Sequence, residues 1–493
     1  MPASLGIHGA IVWCGVYLSP DRVAARLSLL GILSAFIRKA SVIVSLAMPT
    51  RRRFLQSGAA LAAAVSSRPV LGNQANKNSR LRILQIGVGG IGQLDRRELA
   101  KHPMVEFTGF CDVDSNWLAE YSEPYPDAFR VTDYREAFAQ HAEKFDAVVI
   151  DTPDFHHAPM LITALQNHKH IYGQKPLVQQ LDELRLVRNA LRKRPNCVTQ
   201  MGNQRATNEG RLKAIEMLRK NQLGRPLHAH VWTGMMERGS HMPGPWSNLP
   251  KGQPVPGHYD WDLWHGPLTR QLPFSDEIAP SRWRGWWDTG TGMLGDWGCH
   301  LLDVLYYAYD LPSPESVQTH TPRPPGEAHS GHNRSTITYP GGEPFGRDKF
   351  VVHFCDDEIK PSFPALGLPD FEAGFNCTLI VCEEGAILLG DLGKIDVFRN
   401  GRRVNEPLPA STPTNHWHDW VEACLGRKKA HRSPFEMALR ITEPALLAVK
   451  ATRFPGKDLR WDGMKHRFIN HEGANQQILR RDYRQGFAPP EIS

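Results

Sequence analysis

The stretch LRILQIGVGGIGQLDRRELA, residues 81–100, changes character twice. Leu81 to Ile86 is an apolar run of buried-strand length, and residues 91–101 have helical spacing. Between them GVGGIG sets glycines at 87, 89 and 92. Strand, glycine loop and helix in that order form a dinucleotide-binding turn. Small residues let the backbone approach a pyrophosphate, which rests on the amides and dipole of the helix start. Gly87, Gly89, Gly90, Ile91 and Gly92 are therefore assigned to the cofactor. Asp112 closes the next apolar run, VEFTGFC, twenty residues beyond Gly92, where a carboxylate binds both adenosine ribose hydroxyls. It would repel a 2′-phosphate, and residues 113–116 hold no arginine, so NAD is expected over NADP. An ordinary turn acid is the competing reading of Asp112.

The alternation continues through strands FDAVVI, KHIY and NCVTQM, with helices at 133–141, 157–167 and 179–193. Such repetition predicts an α/β chain whose residues 80–203 form a Rossmann domain with a doubly wound parallel sheet. Beyond Gly202 the rhythm breaks. A helix at 206–221 precedes the strand-like runs LHAHVWTG, KFVVHFC, FNCTLIVC, AILLGD and KIDVF, an Asn400-Gly401 turn, and helices at 415–425 and 434–453. They predict a C-terminal α+β domain over 204–465, for substrate and oligomerisation, with a large open, mostly antiparallel sheet. The Pro-, Gly- and Trp-rich stretch 238–290 is too long for a mere connection. Residues 466–493 read as a tail.

The formal charge of +7 is local: residues 1–72 hold eight of the 58 Lys/Arg and one of the 51 acids, leaving 50 of each elsewhere. The balance gives no support to nucleic-acid binding. TRRRFLQSGAALAAAV, residues 50–65, resembles a twin-arginine export signal, with an apolar run too short to span a bilayer permanently. Met48 would place that motif at a normal start, so residues 1–47 read as a mis-called extension and 48–75 as the signal. Cleavage is placed between Ala64 and Ala75, and the mature protein in the periplasm after passage through the twin-arginine machinery. Eight cysteines are scattered without metal-ligand spacing, and no metal site is expected. Cys377 and Cys382, five apart on a strand, face opposite sides, which argues against a disulfide.

TPDFHHAP, residues 152–159, follows the fourth strand and so lies at the carboxyl edge where ligands bind. Thr152, Pro153 and His157 are assigned to the cofactor, although Thr152 or Asp154 could simply cap a helix and His157 lie at the surface. GQKP, residues 173–176, ends the fifth strand at the same edge, so Gln174 and Lys175 are assigned to the cofactor as well. Proline bars the preceding residue from the helical region, so Lys175 is extended or its bond to Pro176 is cis. In WRGWWDTGTGMLGDWGCHLLD, residues 283–303, helical spacing from Leu294 onward places Asp296 and His300 on one face despite four nearby glycines. A carboxylate that fixes an imidazole tautomer suits a general base. The same spacing is common in surface pairs, and Asp303 reads either way. Gln204, Trp286, Trp287 and Trp297 are substrate candidates, since indoles stack on sugars, though tryptophans are more often core.

Together, GVGGIG, CDVD, TPDFHHAP, GQKPL and GTGMLGDWGCHLLD resemble the Gfo/Idh/MocA oxidoreductases over roughly residues 80–465. WDLWHGP and the Trp-rich run resemble an exported bacterial branch abundant in planctomycetes. The resemblance implies an NAD enzyme acting on a hydroxyl or keto group of a sugar, glycoside or cyclitol; export of the folded protein implies that NAD is held tightly, and the open sheet of the second domain suits a homodimer or homotetramer. The resemblance makes Lys175, Asp296 and His300 catalytic: His300 takes the hydroxyl proton, Asp296 holds the imidazole, and Lys175 hydrogen-bonds the oxygen. Gln174 stands where the family usually has glutamate, and Gln174→Glu is expected to keep or raise activity. One alternative is a redox-neutral, NAD-dependent glycosidase working by oxidation and elimination. That branch carries a YPTHG-like segment where this chain has GDWGCH. A second alternative is a non-catalytic ligand-binding relative, against which the intact Lys175, Asp296 and His300 count.

Overall fold

Six apolar runs pair in parallel at the N-terminal end of a computed structural model that describes residues 80–234, 248–324, 326–356, 359–429 and 431–491. The twin-arginine segment and the extension before it lie outside the described residues. The strands are β1 (Leu81–Ile86), β2 (Val105–Cys111), β3 (Phe129–Val131), β4 (Ala147–Ile150), β5 (His170–Gly173) and β6 (Thr199–Met201). Their order is β3-β2-β1-β4-β5-β6. Succession reverses between β1 and β4, so a crevice opens at the carboxyl ends of those two strands. Helices α1 (Ile91–Ala100), α2 (Ser115–Ser122), α3 (Tyr134–Gln140), α4 (His157–Gln166) and α5 (Leu181–Lys193) connect them. Every residue of β4 is buried, as a parallel sheet covered on both faces requires.

Helix α6 (Glu209–Arg219) leads into β7 (Pro226–Trp232), and a short helix, α7 (Trp261–His265), interrupts the long connection. Helix α8 (Gly292–Tyr309) follows. Then come β8 (Ser316–Thr319), β9 (Arg334–Gly342), β10 (Arg347–Cys355), β11 (Cys377–Cys382), β12 (Gly385–Gly390), β13 (Ile395–Arg399) and β14 (Arg402–Val404). The chain closes with α9 (His416–Cys424), α10 (Phe435–Ala451), β15 (Leu459–Asp462), β16 (Arg467–Phe468) and α11 (Glu472–Ile478). Ten strands make one sheet, β14-β13-β12-β11-β7-β10-β9-β8-β15-β16, antiparallel except where β7 meets β10. This is the α/β plan of the sequence reading.

The glycines in α8 permit close packing. Residues 292–307 are all buried, and a Cβ on Gly298 would lie 2.8 Å from that of Ala445 in α10. Cys377 and Cys382 are free thiols in different core clusters, consistent with opposite faces of β11. Two features escaped the sequence pattern. β9, RSTITYPGG, ends in Pro-Gly-Gly and reads as a turn, yet it pairs with β8 and β10. The stretch read as a tail holds β16 and α11, and buries Phe468 and Ile478 in the main core. A two-residue strand and a seven-residue, mostly polar helix are too short to show a period.

Candidate active site

The crevice at the end of β1 and β4 is a cavity of about 520 Å³ lined from both domains. Gly87, with φ +86°, has no room for a side chain: a Cβ would lie 2.8 Å from the Asp151 carbonyl carbon. A Cβ on Gly89 would lie 2.2 Å from the Trp117 indole, and one on Gly92 2.4 Å from the Gly87 oxygen. Gly92 therefore lets α1 close on β1 and does not itself line the cavity. The N–H groups of Gly89, Gly90 and Ile91 have no hydrogen-bond acceptor among the described residues, which leaves the start of α1 open to an anion.

Asp112 accepts from the N–H of Val88 at 2.8 Å and of Asp114 at 2.9 Å, and burial pushes its carboxyl up to about 6. The glycine cradle, the free amides and this acid fit NAD, whose ribose hydroxyls would donate to the carboxylate. NAD affinity is thus expected to strengthen as pH rises through about 6. Asp112→Asn should weaken binding and flatten that dependence, as read by titrating cofactor-free protein at about pH 5 and about pH 8. Fold stability moves the other way. The folded state holds this proton more tightly than the unfolded chain, so the contribution of Asp112 falls between about pH 4 and about pH 6.

Lys175, whose bond to Pro176 is cis, reaches from the end of β5 to Asp296 Oδ1, with Nζ at 2.5 Å. The Arg284 Nε donates to the same oxygen at 3.2 Å. Burial alone would raise the Asp296 carboxyl, but Lys175 and Arg284 hold it well below the usual carboxylate range. His300, one turn along α8, hydrogen-bonds through Nδ1 to Asn203 Oδ1. Asp296 does not hold the imidazole, contrary to the sequence expectation. The helical spacing is as expected, but two cations from outside the helix take the carboxylate first. Burial, Lys175 and Arg205 push the His300 imidazole well below its ordinary value, so it is neutral at pH 7.

Thr152, Pro153, Gln174, Gln204 and Trp297 line the cavity. His157 does not. Its ring is buried between the carbonyl oxygens of Pro176, 2.8 Å from Nδ1, and Thr152, 2.9 Å from Nε2, and ties the two edge loops together. Trp286 and Trp287 are also outside the cavity. Trp286 is core, its Nε1 donating to the Glu277 carbonyl at 2.7 Å, and Trp287 stacks with Lys450 and Arg453. Trp283 takes the lining place instead, beneath the Arg284 guanidinium at 4.2 Å.

Sequence reasoning missed the residues that cover the cofactor end. Tyr259, Leu263 and Trp264 come from the long connection and Phe487 from the last described segment. The connection is pinned across the domain boundary by Ser115 N–H to His258 O and Asp260 N–H to Val113 O, both 2.9 Å. Arg484 straps it from behind, donating to the Asp262 carboxylate at 2.6 Å and the Gly266 carbonyl at 2.8 Å. The aromatic density of WDLWHGP is the one signal that could have found this cover; the polar end of the chain offers none.

Gln174 has a specific partner. Its Nε2 donates at 2.6 Å to Asp95 Oδ2, and Trp417 Nε1 donates at 2.7 Å to the other oxygen. Asp95 faces Asp151, and burial pushes both carboxyls up, Asp151 further because Asp95 adjoins it. A glutamate at 174 would add a third carboxyl to this buried pair, so Gln174→Glu carries a stability cost beside the activity it is expected to keep. The variant should lose about 1–3 kcal/mol of stability. Its extra proton is held more tightly in the folded state, so the deficit should grow from about pH 5 to about pH 8 in thermal unfolding.

Residues 81–201 match the oxidoreductase family, NAD-binding Rossmann fold, and residues 213–345 the oxidoreductase family, C-terminal alpha/beta domain. Among curated relatives, a glycosyl hydrolase family 109 protein of Shewanella woodyi is 28% identical over 176 residues, 34% of this chain and 37% of that protein. An alpha-N-acetylgalactosaminidase of Shewanella oneidensis is 28% identical over 198 residues, 37% of this chain and 42% of its own length. The chain thus spans about two fifths of these relatives. Among solved structures, the WlbA dehydrogenase of Bordetella pertussis in complex with NADH and UDP-GlcNAcA aligns with TM-score 0.56 and 15% identity, over 78% of this chain and 99% of that one. The aldose-aldose oxidoreductase of Caulobacter crescentus, complexed with glycerol, aligns with TM-score 0.54 and 15% identity, over 77% and 99%. With both of its domains matched in order, and with the glycine cradle and Asp112 in place, the chain belongs to the Gfo/Idh/MocA family of NAD-binding oxidoreductases.

Proposed function

We propose that the chain is an NAD-dependent oxidoreductase acting on a hydroxyl or keto group of a sugar, glycoside or cyclitol. The observation that carries this is the convergence of Lys175 from one domain and His300 from the other on the mouth of a dinucleotide crevice. NAD, when bound, accepts or returns a hydride. The protein's part is to move a proton and stabilise charge. His300, neutral and buried, takes the proton of the reacting hydroxyl. Lys175 donates a hydrogen bond to that oxygen as negative charge develops, and Asp296 keeps the ammonium in place. In the reverse direction the same groups return the proton to a carbonyl. Trp283 and Trp297 supply flat apolar walls suited to a sugar face. The sugar-related names of several relatives support the same substrate class.

The cover formed by the connection and the strap from Arg484 supports a cofactor that stays bound through turnover. Retention fits export through the twin-arginine route, which carries folded proteins, and a periplasmic role in carbohydrate metabolism. The ten-stranded sheet offers a broad surface for a homodimer or homotetramer.

A second reading, a redox-neutral glycosidase, is supported by the glycosyl hydrolase relatives. There, transient oxidation would acidify the neighbouring C–H and allow elimination of the leaving group. Mixing the NAD-loaded protein with free sugars and with aryl glycosides separates the two. Stoichiometric growth of the reduced-nicotinamide band supports the dehydrogenase. Release of the aryl group with no net change in that band supports the glycosidase.

A further inference from the structure

Behind His300 lies a buried polar chain that fixes which ring nitrogen carries the proton. Arg211, on α6, and Asp303, on α8, form an ion pair with no solvent exposure on either side chain. Arginine does not deprotonate in proteins, so Asp303 is ionised opposite it, although burial pushes the carboxyl up. An ionised carboxylate only accepts hydrogen bonds. The group of Asn203 that meets Asp303 Oδ2 at 3.1 Å must therefore be the NH₂, and the same Nδ2 donates to the Cys299 carbonyl, also at 3.1 Å. Turning the amide over would set its oxygen against two acceptors.

With the amide so oriented, Asn203 Oδ1 faces His300 Nδ1, and it can only accept. A neutral imidazole has one N–H, and that N–H must be on Nδ1. Nε2 makes no hydrogen bond to the described residues, while the residue lines the cavity. We propose that Asn203, locked by Asp303 and Arg211, is a positioning residue that holds His300 in the Nδ1–H tautomer and so presents the Nε2 lone pair to substrate. This rests on the reading of His300 as the base. It also changes the role of Asp296, which is left free to hold Lys175.

The surroundings keep that base neutral. Lys175 after β5, Arg205 after β6 and Arg211 on α6 are the cations facing the ring, against Asp296 and Asp303 on its own helix. Among the described residues no carboxylate touches Nδ1; the amide of Asn203 stands between the ring and Asp303. A carboxylate in direct contact would favour the imidazolium.

The direct test is the ring-nitrogen NMR spectrum of the full chain labelled with ¹⁵N-histidine, with the His300 signals identified by their loss in His300→Gln. The wild type should show protonated Nδ1 and unprotonated Nε2 from about pH 6 to about pH 8. Asn203→Ala should lose that preference, and its single-turnover rate should fall about tenfold or more with NAD content kept. Asn203→Leu is nearly isosteric, offers His300 no acceptor and keeps the test open if the alanine variant does not fold. It should likewise lose the tautomer preference and the single-turnover rate. A wild type with the proton on Nε2, or variants with unchanged ring signals and rate, would overturn the proposal. A wild type with the expected tautomer but no response of bound nicotinamide to any sugar would instead sink the oxidoreductase reading.

Discussion

Lys175→Met should lower the single-turnover rate by about 10²–10³-fold while NAD remains bound. Lys175 supplies the hydrogen bond to an oxygen that gains negative charge, and removing one such donor is worth that factor in comparable sites. Methionine has similar length and fills the same space, so the pocket wall is kept. Nor does the change orphan the buried carboxylate, because Arg284 stays on Asp296 at 3.2 Å. Folding and cofactor retention should therefore be close to wild type, as read by thermal unfolding and by the NAD content of the purified protein. A variant that folds but loses NAD would place Lys175 among the cofactor contacts and remove it from the chemistry.

Asp303→Ala should cost about 3–5 kcal/mol of stability in urea unfolding. The substitution leaves the Arg211 guanidinium fully buried with its carboxylate partner gone, and arginine has no neutral form to retreat to. Replacing both partners by apolar residues, Arg211→Met with Asp303→Leu, should cost much less, because the desolvated charge is removed with its partner. A single variant as stable as the double would mean that Arg211 finds another partner or solvent. Even a well-folded double variant should be a poor enzyme, since Asn203 would lose the group that orients its amide.

The cofactor half of this protein was legible because its signals are local. A strand, a glycine loop and a helix are adjacent in sequence, and the acid that closes β2 follows at a fixed distance. Lys175 was equally readable, since a strand that ends in Lys-Pro at the carboxyl edge leaves the lysine in one region. The helical face of Asp296 and His300 was also correct, but their pairing was not. Spacing says which side chains can meet, whereas the choice of partner was made by Lys175 and Arg284, 121 and 12 residues away. Asn203 and Arg211 carry no motif and acquire meaning only where α6 and α8 meet.

The tryptophans show the same limit. Trp283, Trp286 and Trp287 lie within five residues, and one lines the cavity while another is core and the third packs against Lys450 and Arg453. Which indole turns inward depends on the 3₁₀ turn at Trp283–Gly285 and on the backbone bridge from Trp286 to Ala328. No period in the sequence encodes either. Gln174 looked like a lost charge beside Lys175. Its meaning lay in Asp95, 79 residues earlier, on the helix packed behind the loop.

The most direct test of the central claim uses the protein as purified, dialysed exhaustively, with no cofactor added. The nicotinamide spectrum is then recorded before and after a panel of sugars, glycosides and cyclitols. Near-stoichiometric NAD is expected in the dialysed protein. Growth or bleaching of the reduced-nicotinamide band is expected with at least one member of the panel, a response that is lost in Lys175→Met. NAD-loaded wild type whose spectrum moves with no sugar, and that releases no leaving group from any glycoside, would contradict the claim.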